Sequence, residues 1–281
     1  MSSALPAGVE ARDVETAAGR IAVWNRPGEG APLVLVHGNS ASKAAFADLM
    51  VEPALDGRRL VALDLPGCGE SEDARDPQTF YTIPAMARIV AETVERLALP
   101  APVVLGWSLG GHIAIEAIGQ GMAMSGLVLT GTPPCGPGHD ELPGSFRDTE
   151  VMAVAFMEEP PEAMLQSYVE ALYGGRRAKP EAFLVDARRT DGRLRATFSA
   201  NWLKGQDGFH QRSVVAGWDG PIAVLQGEED PFLHVEVLQS LAWGRLWRDA
   251  VQLLPAGHAP FFEHPALFAA ELACFLRDIE G

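Results

Sequence analysis

The sequence predicts an α/β fold, a mostly parallel, doubly wound sheet with an inserted helical cap. Short continuous apolar runs, the kind that fill strands buried on both faces, recur along the chain. Amphipathic helical patterns lie between them, so successive strands are joined by crossovers and run parallel. The alternation stops between about residues 133 and 211 and then resumes, which marks an insertion. The expected organisation is core over 1–132, helical cap over 133–211 and core again over 212–281.

Taken in order, residues 20–24 (RIAVW) and 33–36 (LVLV) read as strands separated by the turn-rich NRPGEGAP. Further buried runs follow at 59–63 (RLVAL), 103–105 (VVL), 126–129 (GLVL), 222–225 (IAVL) and 251–254 (VQLL). Helical patterns cover 83–97, 109–120 and 265–279. Inside the insertion, 161–173 (PEAMLQSYVEALY) starts with a proline, ends at Gly174-Gly175, and sets Met164, Tyr168 and Leu172 at i, i+4 and i+8. That stripe either packs on the core or forms the inner face of a lid, and the two roles are compatible.

Composition removes several function classes. Among 281 residues, 22 Lys and Arg stand against 37 Asp and Glu, a net charge of −15 that repels phosphate backbones and anionic lipid, so neither nucleic acid nor membrane is expected as a partner. Cys68, Cys135 and Cys274 are far apart and form no CxxC pair, against a disulfide framework or a thiolate zinc site. The first residues show no basic segment followed by an apolar one, and no apolar run approaches the roughly 20 residues of a spanning helix. A cytoplasmic protein is expected.

The chemistry concentrates at VVLGWSLGGHIAIEAIG, which passes from a buried strand into a helix through Gly106-Trp107-Ser108-Leu109-Gly110, a G-x-S-x-G pattern. A serine raised on a sharp strand-to-helix turn needs an unusual backbone conformation and neighbours without Cβ atoms. The helix that follows aims unpaired N–H groups at the place where an oxyanion forms. Ser108 is therefore the candidate nucleophile, against the plainer reading of a glycine-rich turn with an incidental serine.

A serine hydroxyl needs a base, and the base needs a carboxylate to orient it. Among seven histidines, His258 lies in Pro255-Ala256-Gly257-His258-Ala259-Pro260 after the last predicted strand, where open α/β sheets place their chemistry. His264 reads as a helix start, His139, His210 and His234 as solvated, and His37 and His112 as neighbours of the site. The strand at 222–225 leads into Gln226-Gly227-Glu228-Glu229-Asp230-Pro231. Asp230 is favoured as the orienting acid because it sits three residues past the turn glycine and before a stiffening proline; Glu229 stays open as an alternative.

A second oxyanion donor besides the Leu109 N–H is expected from His37-Gly38-Asn39-Ser40 after an early strand, where Asn39 offers its backbone N–H, its side-chain amide is a further candidate for gripping a polar substrate group, and the plainer reading is a turn residue. The G-x-G of Asp64-Leu65-Pro66-Gly67-Cys68-Gly69 lacks the remaining features of a dinucleotide or phosphate loop and reads as a tight post-strand turn. No H-E-x-x-H or close histidine and aspartate cluster occurs. Neither a metal nor a cofactor is called for.

HGNS, DLPGCGES, GWSLGG, GEEDPF and AGHAPF together resemble the α/β-hydrolase superfamily, whose chain order of serine, acid and histidine is that of Ser108, Asp230 and His258. More narrowly, HGNS, GWSLGGH with TGTPP, RRTDGR and QR in the cap, and PIAV with AGHAPF are similar to the metal-independent N-acyl homoserine lactone hydrolases. The resemblance implies a small-molecule lactone or ester substrate, opened by Ser108 and His258 with degradation of a quorum-sensing signal as the outcome. It also implies substrate contacts from His37, Gly38, Asn39, Trp107 and the cap residue Tyr168, and it allows a glutamate where this chain has Asp230. Phe146, Phe156, Met157 and Met164 are candidates for an acyl-binding wall. Competing readings are a general carboxylesterase or carbon–carbon bond hydrolase with the same triad, and a ligand sensor on a hydrolase scaffold.

Overall fold

A computed structural model describes residues 4–136, 138, 144–174, 177, 181–205 and 208–281; of the expected solvated histidines, His139 lies outside them. Among the described residues the strands are β1 (Glu10–Thr16), β2 (Gly19–Arg26), β3 (Glu29–Val36), β4 (Arg58–Leu63), β5 (Val103–Trp107), β6 (Gly126–Thr130), β7 (Pro221–Gly227), β8 (Arg245–Leu246) and β9 (Gln252–Leu254). They form one sheet in the order β1-β2-β4-β3-β5-β6-β7-β8, with β8 along the start of β7 and β9 along its end. Pairs involving β2 are antiparallel and the others parallel, the expected fold class.

The helices are α1 (Pro77–Phe80), α2 (Ile83–Arg96), α3 (Leu109–Gly119), α4 (Glu162–Leu172), α5 (Glu181–Arg189), α6 (Gly192–Leu203), α7 (Gln211–Gly217), α8 (Val235–Ser240), α9 (Pro260–Glu263) and α10 (Pro265–Glu280). Alternation along the strands sorts them to two faces. Leu33 and Leu35 of β3 share one apolar layer with Phe268, Leu272 and Phe275 of α10 and with Tyr168 of α4. Val34 and Val36 share the other with Val90 of α2 and Ile113 of α3. Each fully buried side chain of this size contributes about 1.5–3 kcal/mol, which is why uninterrupted apolar runs mark these strands.

Two strands lie outside the expected set. β1 (EARDVET) buries only Val14, so no apolar run betrays it, and it forms by seven-residue antiparallel pairing at the sheet edge. β8 has two residues. The helix α4 begins after Pro161 and leads into Gly174, which takes φ +67° where a Cβ would lie 2.3 Å from the Glu263 carboxyl carbon. Tyr168 and Leu172 of its stripe are buried and Met164 is half-buried. No helix among the described residues is long and apolar enough to cross a membrane.

The helices between β6 and β7 are tied to the sheet-end loops by polar contacts. Asn39 Nδ2 donates to the Ala155 carbonyl (3.0 Å), Tyr81 Oη to Asp191 Oδ2 (2.7 Å), and the Asp191 N–H to the Gly67 carbonyl (2.8 Å). Buried Arg195 of α6 donates to the carbonyls of Met157 (2.7 Å) and Glu158 (3.1 Å) and to Ser40 Oγ (3.2 Å). Ser42 Oγ donates to Asp186 of α5. Burial pushes the Asp186 carboxyl up to about 6, helped by the nearby Asp64 and Glu70 and opposed by the Ser42 bond and Lys43. A raised carboxyl favours the neutral form in the fold, so its contribution to stability is present at low pH and lost as pH rises from about 4 through 6. Asp186→Asn keeps an acceptor for Ser42 without the charge. Thermal unfolding is expected to give matching Tm values for variant and parent at pH 4 and a higher Tm for the variant at pH 7; a pH-independent difference would contradict this origin.

Candidate active site

At the C-terminal end of β5 the chain turns through Ser108 at φ 53°, ψ −120° and enters α3 directly. A non-glycine residue there costs on the order of 1–3 kcal/mol, and the surroundings must hold it. The Ser108 N–H donates to the Thr130 carbonyl (3.0 Å), while its own carbonyl accepts from the Gly111 N–H (2.9 Å) and Thr132 Oγ1 (2.9 Å). Close approach explains the flanking glycines. A Cβ on Gly106 would lie 2.4 Å from Gly111 Cα, one on Gly110 2.1 Å from the Val36 carbonyl oxygen, and one on Gly111 2.1 Å from Thr132 Oγ1.

The ends of β7 and β9 bring two further side chains together. His258 Nδ1 lies 2.7 Å from Asp230 Oδ2, with both residues buried. Gln226 Nε2 donates to the same carboxylate oxygen (2.8 Å) and the Phe232 N–H to Oδ1 (2.9 Å). A carboxylate accepts only, so Nδ1 carries the proton and Nε2 presents its lone pair. That nitrogen is buried, makes no hydrogen bond among the described residues, and belongs to a residue lining the same cavity as Ser108. Glu228 and Glu229 are exposed, so it is Asp230 that meets the histidine.

A narrow cavity is lined by Asn39, Ser108, Leu109, His112, Phe146, Met152, Ala155, Phe156, Tyr168, Phe198, Trp202, Phe232 and His258. The backbone N–H groups of Asn39 and Leu109 have no acceptor among the described residues. Two free donors beside a raised serine hydroxyl and an imidazole lone pair can stabilise a tetrahedral oxyanion while a proton is moved. Burial of Tyr168, a residue of the cavity wall, raises its phenol pKa well above the ordinary value, so its hydroxyl is neutral.

Several expected substrate contacts lie behind the cavity wall instead. His37 is fully buried, accepting the Leu65 N–H at Nε2 (3.0 Å) and meeting the Gly38 carbonyl at Nδ1 (2.7 Å), and burial lowers its pKa so the ring stays neutral. Both nitrogens are thus committed. Gly38 lets its loop approach Ser108, where a Cβ would come within 3.1 Å of the serine Cβ. Trp107 is fully buried and donates from Nε1 to the His258 carbonyl (2.9 Å), fixing that loop. The Asn39 side chain is engaged by Ala155 and Ser40 rather than turned to a substrate. Of the expected acyl wall, Phe146 and Phe156 line the cavity and Met157 and Met164 do not.

Residues 31–265 match the family model described as the alpha/beta hydrolase fold. The chain belongs to this family. A crystal structure of a variant of N-acyl homoserine lactonase AidH complexed with N-hexanoyl homoserine lactone has TM-score 0.91 and 39% identity, covering 96% of this chain and 98% of that one. Pimeloyl-[acyl-carrier protein] methyl ester esterase of Yersinia pseudotuberculosis is 28% identical, with 91% of this chain and 97% of that protein aligned. Biotin biosynthesis bifunctional protein BioHC of Teredinibacter turnerae is 26% identical over 87% of this chain, which spans 44% of that longer protein. This α/β-hydrolase is an ester hydrolase.

Two positions of the hydrolase site escaped sequence reasoning. Gln226 bridges Asp230 to the Gly131 N–H, which donates to its Oε1 (2.9 Å); its signal is a polar residue inside an otherwise apolar buried strand. Gly131, at φ +62°, abuts the imidazole: an added Cβ would lie 2.7 Å from His258 Cε1 and 3.0 Å from Nδ1. Gly131→Ala is therefore expected to displace the imidazole and lower kcat at least about tenfold. Steady-state kinetics with an ester, beside circular dichroism to verify folding, checks this; parental kcat in a folded variant would contradict it.

Proposed function

We propose that this hydrolase opens the lactone ring of N-acyl homoserine lactones, with Ser108, His258 and Asp230 as its catalytic triad. His258 Nε2 takes the Ser108 proton as Oγ attacks the lactone carbonyl, and the Asn39 and Leu109 N–H groups hold the resulting oxyanion. Collapse breaks the ring carbon–oxygen bond, and His258 returns the proton to the departing ring oxygen, which becomes the hydroxyl of an acyl-enzyme. Water, deprotonated by His258, then attacks the ester to Ser108 and releases N-acyl homoserine with the serine regenerated. Asp230 keeps the imidazole in the required tautomer throughout. Tyr168 is assigned to the substrate head.

The observation that carries this reading is the likeness to AidH through the cap as well as the sheet, because cap residues build the cavity wall. Aromatic and aliphatic side chains around a few polar groups suit an acyl chain joined to a polar ring. Linear-ester hydrolysis is the second reading, favoured by the esterases among the relatives. A homoserine lactone series of varied acyl length, assayed by proton release beside p-nitrophenyl acetate and butyrate, separates the two. Lactone kcat/KM well above the ester values is expected; cleavage of the esters alone would discard the lactonase. Ser108→Ala is expected to lose at least about a thousandfold in kcat while folding normally, and residual activity within about tenfold of the parent would refute the nucleophile.

A further inference from the structure

One polar nitrogen of the cavity wall has no part in the chemistry above. His112 lies one helical turn along α3 from Ser108, 3% exposed, with the rings of Trp202 and Phe146 at 4.8 and 6.1 Å. Its Nδ1 is 2.7 Å from Gln211 Oε1, an oxygen that also accepts the Cys135 N–H at 3.4 Å. An amide oxygen has no proton to give, so the proton of the shorter contact is on Nδ1. A neutral imidazole has one N–H, and burial holds this ring neutral by lowering its pKa to about 4 against the Gln211 bond. Nε2 is thus a bare acceptor with no protein partner among the described residues, on a buried side chain that lines the cavity. It is open to a hydrogen-bond donor that enters the cavity.

We propose that His112 is a specificity-determining residue whose Nε2 accepts the amide N–H of substrates acylated on the nitrogen next to the reacting carbonyl. The position favours that donor. His112 is four residues, about 6 Å along the helix axis, beyond Ser108, and the amide nitrogen of an N-acyl homoserine lactone is bonded to the carbon adjoining the carbonyl that Ser108 attacks. Carbonyl and ether oxygens would set lone pair against lone pair. The proposal deepens the lactonase reading for cyclic substrates, and for open-chain ones it rests on ester hydrolysis alone.

The test replaces N–H by CH2 in two substrate pairs: N-hexanoyl homoserine lactone against α-(2-oxoheptyl)-γ-butyrolactone, and N-hexanoylglycine methyl ester against methyl 4-oxononanoate. The parent enzyme is expected to favour the N–H member in kcat/KM by about tenfold or more, and His112→Phe to bring the ratio within about threefold of unity. Gln211→Leu, which leaves the ring in place but frees its tautomer, is expected to lower the ratio as well. Equal rates in the parent, hydrolysis of neither of the two N–H members, or an undiminished ratio in folded His112→Phe would each overturn the proposal. Turnover of the open-chain pair with the expected ratio, but of neither lactone, would discard the lactonase and support the role of His112.

Discussion

The left-handed turn at Ser108 is the constraint on which the rest of the site depends. It reverses the chain so abruptly that α3 presses against the ends of β3 and β5, which is why positions 106, 110 and 111 cannot carry a Cβ without meeting backbone or Thr132. The same close approach brings Leu109 and Asn39 to the wall of one cavity, since Asn39 follows β3 and β3 is the parallel neighbour of β5. Parallel topology continues the effect across the sheet. Gly131 follows β6, Asp230 follows β7 and His258 follows β9, so each element delivers its chemistry at its C-terminal end.

Polar groups around this site divide into those that fasten and those that face the cavity. The Asn39 amide, Arg195, Ser42 with Asp186, and Tyr81 with Asp191 fasten the helices between β6 and β7 and their loops to the sheet ends. With these groups engaged, the cavity wall consists largely of aromatic and aliphatic side chains. His258 Nε2 and the Asn39 and Leu109 N–H groups consequently lie in a medium of low dielectric, where electrostatic interactions are stronger than in water. His37 and Trp107 serve the same end from behind, the first bracing the 37–40 loop against Leu65 and the second holding the backbone of His258.

How much was legible in the sequence follows from the physics of each signal. Strands buried on both faces, such as 33–36 and 103–105, announce themselves by continuous apolar runs, and Ser108 by glycines that only a close approach explains. β1 gives no such signal because pairing with β2, rather than burial, holds it. His37 and Trp107, expected to meet a substrate, have side chains buried behind the cavity wall. Adjacency in sequence to Asn39 and Ser108 says nothing of direction, and alternation turns these side chains into the core. The cavity walls were partly legible for the same reason: Phe146 and Phe156 were among the candidates, whereas Phe198, Trp202 and Phe232 come from separate segments that only tertiary packing brings together.

That an aspartate at position 230 reaches His258 has a structural explanation. The resemblance to N-acyl homoserine lactone hydrolases allows a glutamate at this place, one methylene longer, so an aspartate must stand on a loop closer to the histidine. The two loops are joined directly: the Glu228 N–H donates to the Leu254 carbonyl (2.9 Å) and the Glu229 N–H to the Ala256 carbonyl (3.0 Å). Gly227 permits it, since a Cβ there would lie 1.9 Å from the Gly257 carbonyl oxygen. On the far side, Glu263 accepts the Gly257 N–H at 2.7 Å and keeps the histidine loop from drifting outward. Backbone pairing between the loops thus supplies the reach that the shorter side chain lacks, and Gln226 and the Phe232 N–H fix the carboxylate that it brings to within 2.7 Å of His258.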